Sequence, residues 1–370
     1  MSKSDILVCP GIRSSHQDAN IVKNILLREK CLEKRCQIRH EGKFVIFPLI
    51  KGKSEVVRDL LPKDSELVDS EGFFLRSTKE SPISFLRKNL PKEVIAFIPS
   101  SYDVVGDVVL LKLDAHLIPS KELIAEAFLR YNNARTVLNK IADVSTEFRT
   151  PQWEVIGGSP RTDTIITLHG MKLSVDVARS YFNPRLGNEY QRIANLINDG
   201  ETVWDLFCGV GPFSILGAIR SPATFLANDL NPVAVGCLKT NIEMNSKKLR
   251  GEVKPSNRDV MDLIQDDLPM PKRVIMNLPG RSMEFFPHIV SKIAQIKPKS
   301  SPCYFFVHLY YFAYRSESEH EYLDRDLKIQ AEVRRIVKGN ALKVQSLSLL
   351  PIRDVSPSKG FFVMDLEITD

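Results

Sequence analysis

The residues most suited to chemistry in this sequence lie in the segment DLFCGVGPF, which starts at Asp205 at the end of an apolar run. Gly209 and Gly211 let the backbone turn tightly and approach a ligand closely, and a helix beginning after them would point free N–H groups at that ligand. The segment contains neither the dinucleotide pattern GxGxxG nor the phosphate loop GxxxxGK(S/T). With an Asp before the turn and Pro212-Phe213 after it, the pattern favours a nucleoside that carries an amino acid over a pyrophosphate.

Two further acidic residues follow the next two strand-like runs. Asp229 lies 24 residues after Asp205, within NDLNP, and Asp259 follows in the region GEVKPSNRDV. An acidic side chain after the second strand of such a fold can accept both ribose hydroxyls, and Asp259 is placed to contact an adenine amino group. Alternatively, these residues only cap helices in tight connections, but three acids at successive strand ends favour a nucleoside site.

The elements that must position these acids alternate between strand and helix from about Tyr181 onward. TVWDLF, ATFLAND, RVIMNLP and CYFFVHLYYF have the composition of strands, and segments such as YQRIANLI and HIVSKIAQI have that of helices. This alternation predicts an α/β fold with an open, mostly parallel sheet and helices on both faces. VQSLSLLPI and FFVMDLEI, near the end of the chain, predict an antiparallel edge.

The preceding residues predict smaller α+β units. A helix-like stretch precedes the apolar strand FVIFPLI, and the polar stretch 51–80 is interpreted as a linker. Two β-rich runs, VIAFIP and VVGDVVLLKL, precede a helix that Ser120 can cap and whose apolar pattern continues to Ile141. TDTIITLHG and MKLSVDVA then predict a hairpin that turns at His169-Gly170.

Length and composition indicate a globular protein of two or three domains, since 43% of the 370 residues are hydrophobic and 26% are charged. The sequence has neither an apolar run of about 18 residues nor a signal-like N-terminus, so we expect a soluble, cytoplasmic protein without a membrane span. The six cysteines are scattered, which favours reduced thiols. Cys31, Cys36 and His40 lack the second ligand pair of a zinc site, so no metal is predicted.

Basic charge is concentrated at the start of the chain. Residues 1–60 contain 12 Lys/Arg and 7 Asp/Glu, whereas the whole chain contains 51 and 45, for a net charge of +6. A basic segment on a nearly neutral body is typical of proteins with a phosphate-rich partner. The charge alone is equally compatible with a solvated basic face.

The glycines and acids together resemble the class I S-adenosylmethionine methyltransferases, and another motif narrows the resemblance. RVIMNLPGRSMEFF places Asn277, Leu278 and Pro279 at the end of the fourth core strand, where amino-methylating relatives carry Asn/Asp-Pro-Pro-Tyr/Phe. The second proline and the aromatic residue are missing here, which disfavours an exocyclic amine as the methyl acceptor. NLP followed by EF instead resembles the archaeal and eukaryotic tRNA methyltransferases that modify N1 of guanine 37.

Three other segments support this resemblance. YFNPRLGNE, which ends at Glu189, is similar to the family's YFSPRL..E, and STEFR, which ends at Arg149, resembles its GEYR. VSPSK, which ends at Lys359, resembles the turn between the family's final strands. Asn183 in place of serine, and GN before the glutamate, depart from the family pattern and leave the geometry of that loop open.

The resemblance implies a Rossmann-like methyltransferase domain with a mixed sheet at 179–370. An α+β domain at 80–178 would precede it and pack on it, and a small basic α+β tRNA-recognition domain would occupy 1–65. The resemblance is carried by about residues 140–370 and more weakly by 1–65. It implies S-adenosyl-L-methionine as cofactor and tRNA as partner, bound through the anticodon loop and the tRNA body. The apolar content gives no sign of an obligate interface, so we expect a monomer.

N1 of guanine carries a proton at neutral pH, so methyl transfer to it requires a base and a group that stabilises the charge shared with O6. The resemblance assigns the base to Glu189 and the stabilising guanidinium to Arg149. Asn277 and the backbone at Pro279 would hold the edge of the guanine. Alternatively, Glu189 serves only as a first-turn helix acid or pairs with Arg192, and Arg149 contacts phosphate.

The predicted cofactor-binding residues lie around the glycine turn and at the following strand ends. Parallel strands of this fold meet their ligand at the carboxyl edge of the sheet, so these residues should converge there. The set is Arg185, Asp205, Phe207, Gly209, Val210, Gly211, Pro212, Phe213, Asp229, Leu230, Asn231, Asp259, Val260 and Asn277.

Other functions compete with guanine methylation as interpretations of the sequence. A related transferase moves the aminocarboxypropyl group of the same cofactor onto a wyosine precursor, but NLP and Glu189 argue against it. Methylation of the tricyclic wyosine intermediate at the same position stays open. An amino-group methyltransferase is disfavoured because the Pro-Pro-aromatic pattern is absent, and a non-enzymatic RNA-binding protein is disfavoured by the intact glycine turn.

Overall fold

The computed structural model describes residues 6–74, 80–99, 101–142, 151–298, 303–314, 319–356 and 359–370. The chain forms two compact units, Met1–Ser81 and Pro82–Asp370. The strands are β1 (Ile6–Ser15), β2 (Arg39–Glu41), β3 (Phe44–Pro48), β4 (Glu66–Phe74), β5 (Asp103–Val105), β6 (Val108–Leu111), β7 (Thr136–Ala142), β8 (Gln152–Gly158), β9 (Asp163–Leu168), β10 (Met171–Asp176), β11 (Thr202–Asp205), β12 (Thr224–Asn228), β13 (Glu252–Ser256), β14 (Arg273–Met276), β15 (Tyr304–Tyr314), β16 (Lys343–Ser356) and β17 (Lys359–Thr369). The α-helices are α1 (Ala19–Arg28), α2 (Ser54–Arg58), α3 (Pro82–Asn89), α4 (Lys121–Asn132), α5 (Gly187–Leu196), α6 (Pro212–Arg220), α7 (Pro232–Asn245), α8 (Val260–Leu263), α9 (Ser282–Ile296) and α10 (Glu319–Gly339). Among the described residues, no helix has the length and apolar character needed to cross a membrane.

The first unit is built on a four-stranded antiparallel sheet in the order β2-β3-β1-β4. Ile12 of β1, Phe47 of β3 and Val22 of α1 are buried together in its core. The prediction that residues 51–80 form a linker is wrong, because this stretch contains α2 and β4. Its charged composition is explained by the position of β4 at the edge of the sheet, where charged side chains are common because one side of the strand is unpaired.

The second unit begins with a four-stranded sheet in the order β5-β6-β7-β8, whose core includes buried residues of α4. The helix predicted after Ser120 is present as α4, but it ends at Asn132, since Asn133 adopts the left-handed conformation that terminates helices (φ 51°). The apolar residues beyond it, up to Ile141, belong to β7. VIAFIP is not a strand either, because Lys92–Phe97 form a 3₁₀ helix.

The larger sheet of this unit has seven strands in the order β13-β12-β11-β14-β15-β17-β16. β13 to β15 pair in parallel, and β17 and β16 continue the sheet in antiparallel pairing. This confirms the predicted α/β, Rossmann-like fold with a mixed sheet and an antiparallel edge. The predicted hairpin is present as β9 and β10, and its turn residues His169 and Gly170 both have positive φ, 48° and 81°, as two-residue hairpin turns require.

Helices cover both faces of the seven-stranded sheet. Residues of α5, α6 and α7 share a buried cluster with Val203 of β11, and residues of α8, α9 and α10 share another with Trp204. Successive strand side chains point to opposite faces, so these two neighbours enter different cores. Burial on both faces explains the continuous apolar runs of the sequence. Because β11, β12 and β14 run parallel, the loops that follow them leave the sheet at one common edge, and this edge positions the site.

Candidate cofactor and active site

A cavity of about 600 Å³ opens at the carboxyl edge of the parallel strands. The loops that follow β11 to β14 form much of its wall, and single residues of β15 and β17 also reach it. Its size is typical of small-molecule sites. Its lining residues are Tyr181, Leu206, Phe207, Gly209, Asn228, Asp229, Leu230, Asn231, Ala234, Arg258, Asp259, Val260, Met261, Asn277, Leu278, Pro279, Arg281, Phe285, Phe312 and Lys359.

The glycine turn after β11 depends on the absence of side chains. Gly209 and Gly211 have φ of 56° and 86°, in the left-handed region. A Cβ on Gly211 would lie 2.3 Å from Cδ1 of Leu238, and a Cβ on Gly209 would lie 3.1 Å from the carbonyl oxygen of Tyr181. α6 begins at Pro212, directly after the turn. The strand–turn–helix arrangement read from the sequence is therefore present.

Asp229 joins the glycine turn to the loop after β12. The backbone N–H groups of Gly209 and Asn231 donate to its Oδ2 and Oδ1 over 2.7 and 2.9 Å. Burial raises the pKa of this carboxyl, although the two backbone bonds oppose the shift. An ionised carboxylate accepts about four hydrogen bonds, so with one donor from the described residues on each oxygen, each oxygen can accept one more. This capacity matches a pair of ribose hydroxyls.

Asp259 lines the cavity and also caps a helix. Its side chain accepts the backbone N–H of Met261 over 2.7 Å at the start of α8, and Val260 and Met261 line the cavity beside it. Asn231 caps α7 in the same way, by accepting the N–H of Val233 over 3.0 Å. Both residues therefore cap a helix and also line the cavity. The cap fixes the direction of each side chain.

Asp205 lies beneath the glycine turn and not in the cavity wall. Its side chain is fully buried, its Oδ2 accepts the hydroxyl of Ser214 over 2.7 Å, and its Oδ1 has no partner among the described residues. Burial raises the pKa of this carboxyl to about 7, and the nearby charge of Asp229 adds to the shift. Asp205 therefore ties the end of β11 to α6 and does not contact the cavity directly.

The structure separates the predicted cofactor residues into two groups. Val210, Pro212 and Phe213 are buried in the core and are not part of the lining, and neither is Gly211. Arg185 is half-exposed and pairs with Asp103, with Nη2 and Oδ1 2.6 Å apart. The predicted residues that do meet at the cavity are Phe207, Gly209, Asp229, Leu230, Asn231, Asp259, Val260 and Asn277.

The segment Asn277-Leu278-Pro279 lines the cavity after β14. Ser282 fixes this loop, since its hydroxyl donates to the carbonyl of Met276 over 2.8 Å and accepts the N–H of Leu278 over 3.2 Å. The carbonyl of Pro279 accepts the N–H of Phe312 over 3.2 Å. The backbone at Pro279 is thus anchored to β15, and a carbonyl keeps a second lone pair for a ligand.

Of the two residues expected to act on guanine, Glu189 and Arg149, only Glu189 belongs to the described residues. Arg149 lies in 143–150, outside the described residues. Glu189 is buried in the first turn of α5 and does not belong to the cavity lining. Its carboxylate pairs with the guanidinium of Arg192, the alternative weighed from the sequence, and also accepts the hydroxyl of Tyr310 over 2.5 Å.

Aromatic and basic side chains that the sequence analysis did not assign to the site also line the cavity. They are Tyr181, Phe285, Phe312, Arg258, Arg281 and Lys359. Nζ of Lys359 lies 3.9 Å from the ring centroid of Phe312, and the guanidinium of Arg281 lies 5.1 Å from that of Phe285. Such rings and cations suit unstacked bases and phosphates. The sequence contained a signal for three of these residues, since Tyr181, Phe285 and Lys359 belong to the YFNPRL, EF and VSPSK motifs that support the resemblance.

Two family descriptions match the second unit. The "TRM5/TYW2 methyltransferase domain" matches residues 164–313, and the "TYW2 N-terminal domain" matches residues 84–162. Among curated relatives, the tRNA (guanine(37)-N(1))-methyltransferase Trm5b of Pyrococcus abyssi is 29% identical over 355 residues, covering 95% of this chain and 97% of the relative. The Trm5b of Methanocaldococcus jannaschii is 33% identical over 281 residues, covering 75% and 81%.

Solved structures give the same result. The crystal structure of Trm5b from Pyrococcus abyssi has a TM-score of 0.66 at 27% identity, covering 97% of this chain and 99% of that one. The complex of aTrm5 with tRNALeu has a TM-score of 0.62 at 26% identity, covering 96% and 99%. Pyrococcus horikoshii TYW2 in complex with MeSAdo has a TM-score of 0.60 at 26% identity, covering 78% and 97%. The resemblance read from the sequence is confirmed, and the chain belongs to the TRM5/TYW2 methyltransferase family.

Proposed function

We propose that this chain transfers a methyl group from S-adenosylmethionine to N1 of guanosine 37 in tRNA. The observation that carries the proposal is one cavity with two groups of lining residues, a nucleoside half that would bind the cofactor and another half that would bind a base. Gly209, Asp229 and Asp259 form the first, and Asn277 and Pro279 belong to the second. The relatives named above support the proposal, because two of them are guanine-37 N1-methyltransferases similar over most of the chain.

The residues of the nucleoside half suit S-adenosylmethionine. Asp229 would accept the two ribose hydroxyls with the acceptor capacity left on its oxygens, and Asp259 with Val260 would hold the adenine edge. The glycine turn would let the amino-acid part lie against the backbone. The bound cofactor would supply an activated methyl group on a sulfonium, so the protein's task is to place and deprotonate the acceptor.

Residues of the other half, together with Glu189 and Arg149, would act on guanine. Asn277 and the backbone at Pro279 would hold the edge of the base. Glu189 would take the N1 proton as the N1–carbon bond forms and the sulfur–carbon bond breaks, and Arg149 would stabilise the charge shared with O6. The neutral thioether and the methylated base would leave, and Glu189 would release its proton to solvent.

A second candidate is a reaction on the wyosine precursor at the same nucleotide. The observation that favours it is the match of residues 84–162 to the TYW2 N-terminal domain. It takes two forms, aminocarboxypropyl transfer or methylation of the tricyclic intermediate. Both would use the same nucleoside half of the cavity, so the group transferred and the acceptor base distinguish them from guanine methylation.

The first unit would recognise the tRNA body. Residues 1–60, which lie in this unit, contain 12 Lys/Arg and 7 Asp/Glu, and phosphate contacts supply much of the affinity of such complexes. A site that closes on its nucleotide only when the tRNA body also binds would check the overall shape of the substrate.

The test is a methyl-transfer assay with labelled S-adenosylmethionine and unmodified tRNA that carries G37 or A37. We expect N1-methylguanosine, identified by mass spectrometry, from the G37 transcript alone. Glu189→Gln and Arg149→Ala should lower kcat by roughly 10²–10⁴-fold, the usual contribution of general base and charge stabilisation. A methyl group at another position would refute the proposal. No methyl product from a protein that still binds the cofactor would favour the wyosine reactions.

A further inference from the structure

Glu189 is held by three hydrogen bonds in the core of the second unit. Nε of Arg192 donates to Oε2 and Nη2 donates to Oε1, each over 2.8 Å. The hydroxyl of Tyr310 donates to Oε1 over 2.5 Å. The side chain of Glu189 is only 5% exposed, so without these donors the interior would penalise its charged form.

Arg192 is itself fixed from its far side. Its Nη1 donates to Oδ2 of Asp365 over 2.6 Å, and Oδ1 of Asp365 lies 2.6 Å from Nδ1 of His308. Burial opposes ionisation of Asp365, but the hydrogen bonds from His308 and Arg192 prevail and lower the pKa of its carboxyl. The guanidinium therefore has a carboxyl partner on each side, and it cannot rotate away from Glu189 without leaving Asp365.

The donors from the described residues leave Glu189 with one acceptor position for a proton. A carboxylate has about four acceptor positions. Two donors fill Oε1, and one donor from the described residues occupies Oε2. Burial and the charge of Glu189 raise the pKa of Tyr310 well above its ordinary value, so its hydroxyl stays protonated and remains a donor. The remaining acceptor position lies on Oε2.

Tyr310 also links Glu189 to the cavity wall. Side chains two residues apart on a strand share a face and lie about 7 Å apart, so Tyr310 and Phe312 of β15 are neighbours on one face. Phe312 lines the cavity, and Tyr310 packs against Phe213 and Phe361, with ring centroids 5.8 and 5.7 Å away. The Glu189 carboxylate is thus bonded to a side chain that neighbours the cavity wall and that has little freedom to move.

We propose that Tyr310 is a positioning residue for methyl transfer. Together with Arg192, which Asp365 anchors, it holds the carboxylate of Glu189 in place and presents the remaining acceptor position of Oε2 to the N1 proton. The inference rests on the proposed function and deepens it. Among the described residues, the charged or titratable groups bonded to Glu189 or to its partner Arg192 are Arg192 on its own helix, Tyr310 on β15 and Asp365 on β17, and His308 on β15 is bonded to Asp365.

The test is the pH dependence of single-turnover methyl transfer to G37 tRNA by Tyr310→Phe. Removing one hydrogen bond to a charged group should lower the rate about 10- to 100-fold at neutral pH. Since the carboxylate of Glu189 loses the donor at Tyr310, the acid limb of the measured pH–rate profile should move to higher pH in this variant, with partial recovery at alkaline pH. KM for tRNA and for S-adenosylmethionine should stay unchanged. Asp365→Asn, which acts through Arg192, should shift the profile in the same direction by less.

Tyr304→Phe is the matched control, because it removes one hydroxyl from the first residue of the same strand, which is 51% exposed. Its profile should match that of the unaltered protein. A double variant, Glu189→Gln with Tyr310→Phe, should be no slower than Glu189→Gln alone if Tyr310 acts through Glu189.

Two results would overturn the inference while leaving the proposed function intact. One is a slow Tyr310→Phe whose pH profile is unchanged and whose effect multiplies with that of Glu189→Gln, since this indicates a purely structural role. The other is a Tyr310→Phe that behaves like Tyr304→Phe. If the unaltered protein forms no N1-methylguanosine, the proposed function fails first, and the inference fails with it.

Discussion

Replacing Asp205 with Asn should make the stability of the second unit less dependent on pH. The folded protein holds the pKa of this carboxyl at about 7, mainly by burial, whereas its ordinary value is 3.8. At a pH between these two pKa values, the folded state keeps a proton that the unfolded state has released. The free energy of unfolding therefore falls as the pH rises towards 7. Between pH 5 and pH 8 the loss occurs only up to the folded pKa of about 7. This is about two pH units at about 1.4 kcal/mol each, or about 3 kcal/mol.

The substitution keeps the contacts but removes the titration. The amide oxygen of an Asn can still accept the hydroxyl of Ser214, which now lies 2.7 Å from Oδ2. The other carboxylate oxygen has no partner among the described residues, so the amide NH2 replaces a group that was already unsatisfied. The cost of that buried donor is the same at both pH values and cancels from the comparison.

The assay is urea unfolding followed by tryptophan fluorescence at pH 5 and pH 8 without ligand. Both tryptophans, Trp153 and Trp204, belong to the second unit, so the signal reports its unfolding. The control is Asp267→Asn, which alters an exposed carboxyl. Asp205→Asn should lose about 3 kcal/mol less than the control between the two pH values. Equal losses in the two variants would show that burial does not hold the proton on Asp205, and the reasoning would be wrong.

Two further predictions concern ligand binding. Asp229→Asn should weaken S-adenosylmethionine binding by roughly 10- to 100-fold in calorimetry, because the ribose hydroxyls lose a charged acceptor, and an unchanged affinity would remove Asp229 from the ribose site. Lys23→Glu combined with Lys30→Glu, both exposed in the first unit, should raise KM for tRNA by roughly 10-fold at low salt and less at high salt. KM for S-adenosylmethionine should stay constant, and an unchanged KM for tRNA would show that this face does not contact the tRNA.

The errors of sequence interpretation lay where local composition fits two structures. The charged stretch 51–80 has the composition of a linker, and only its pairing with β1 shows that it contains a strand. The apolar residues up to Ile141 fit a helical spacing as well as a strand, and the left-handed Asn133 separates the two elements. In both stretches the choice of a strand depends on pairing with another strand. Local composition does not show this pairing, because a strand gains its stability from a partner distant in sequence.

The sequence by itself determined the features that depend only on neighbouring residues. Gly209 and Gly211 predicted the turn because a left-handed backbone without a Cβ is a local property. Asp229 and Asp259 were predicted at the cavity because each follows a strand, and parallel strands end at a common edge. The alternation of helix and strand likewise predicted the sheet and its covered faces.

Only the tertiary structure decided which side chains contact these residues and which are buried. Tyr310 lies 121 residues from Glu189 along the chain, and Asp365 lies 173 residues from Arg192. These contacts exist because β15 and β17 are neighbours in the sheet and both face α5. Asp205 carries the same side chain as Asp229, yet one is enclosed beneath the turn and the other lines the cavity. Burial depends on how distant elements pack, and no spacing in the sequence encodes it.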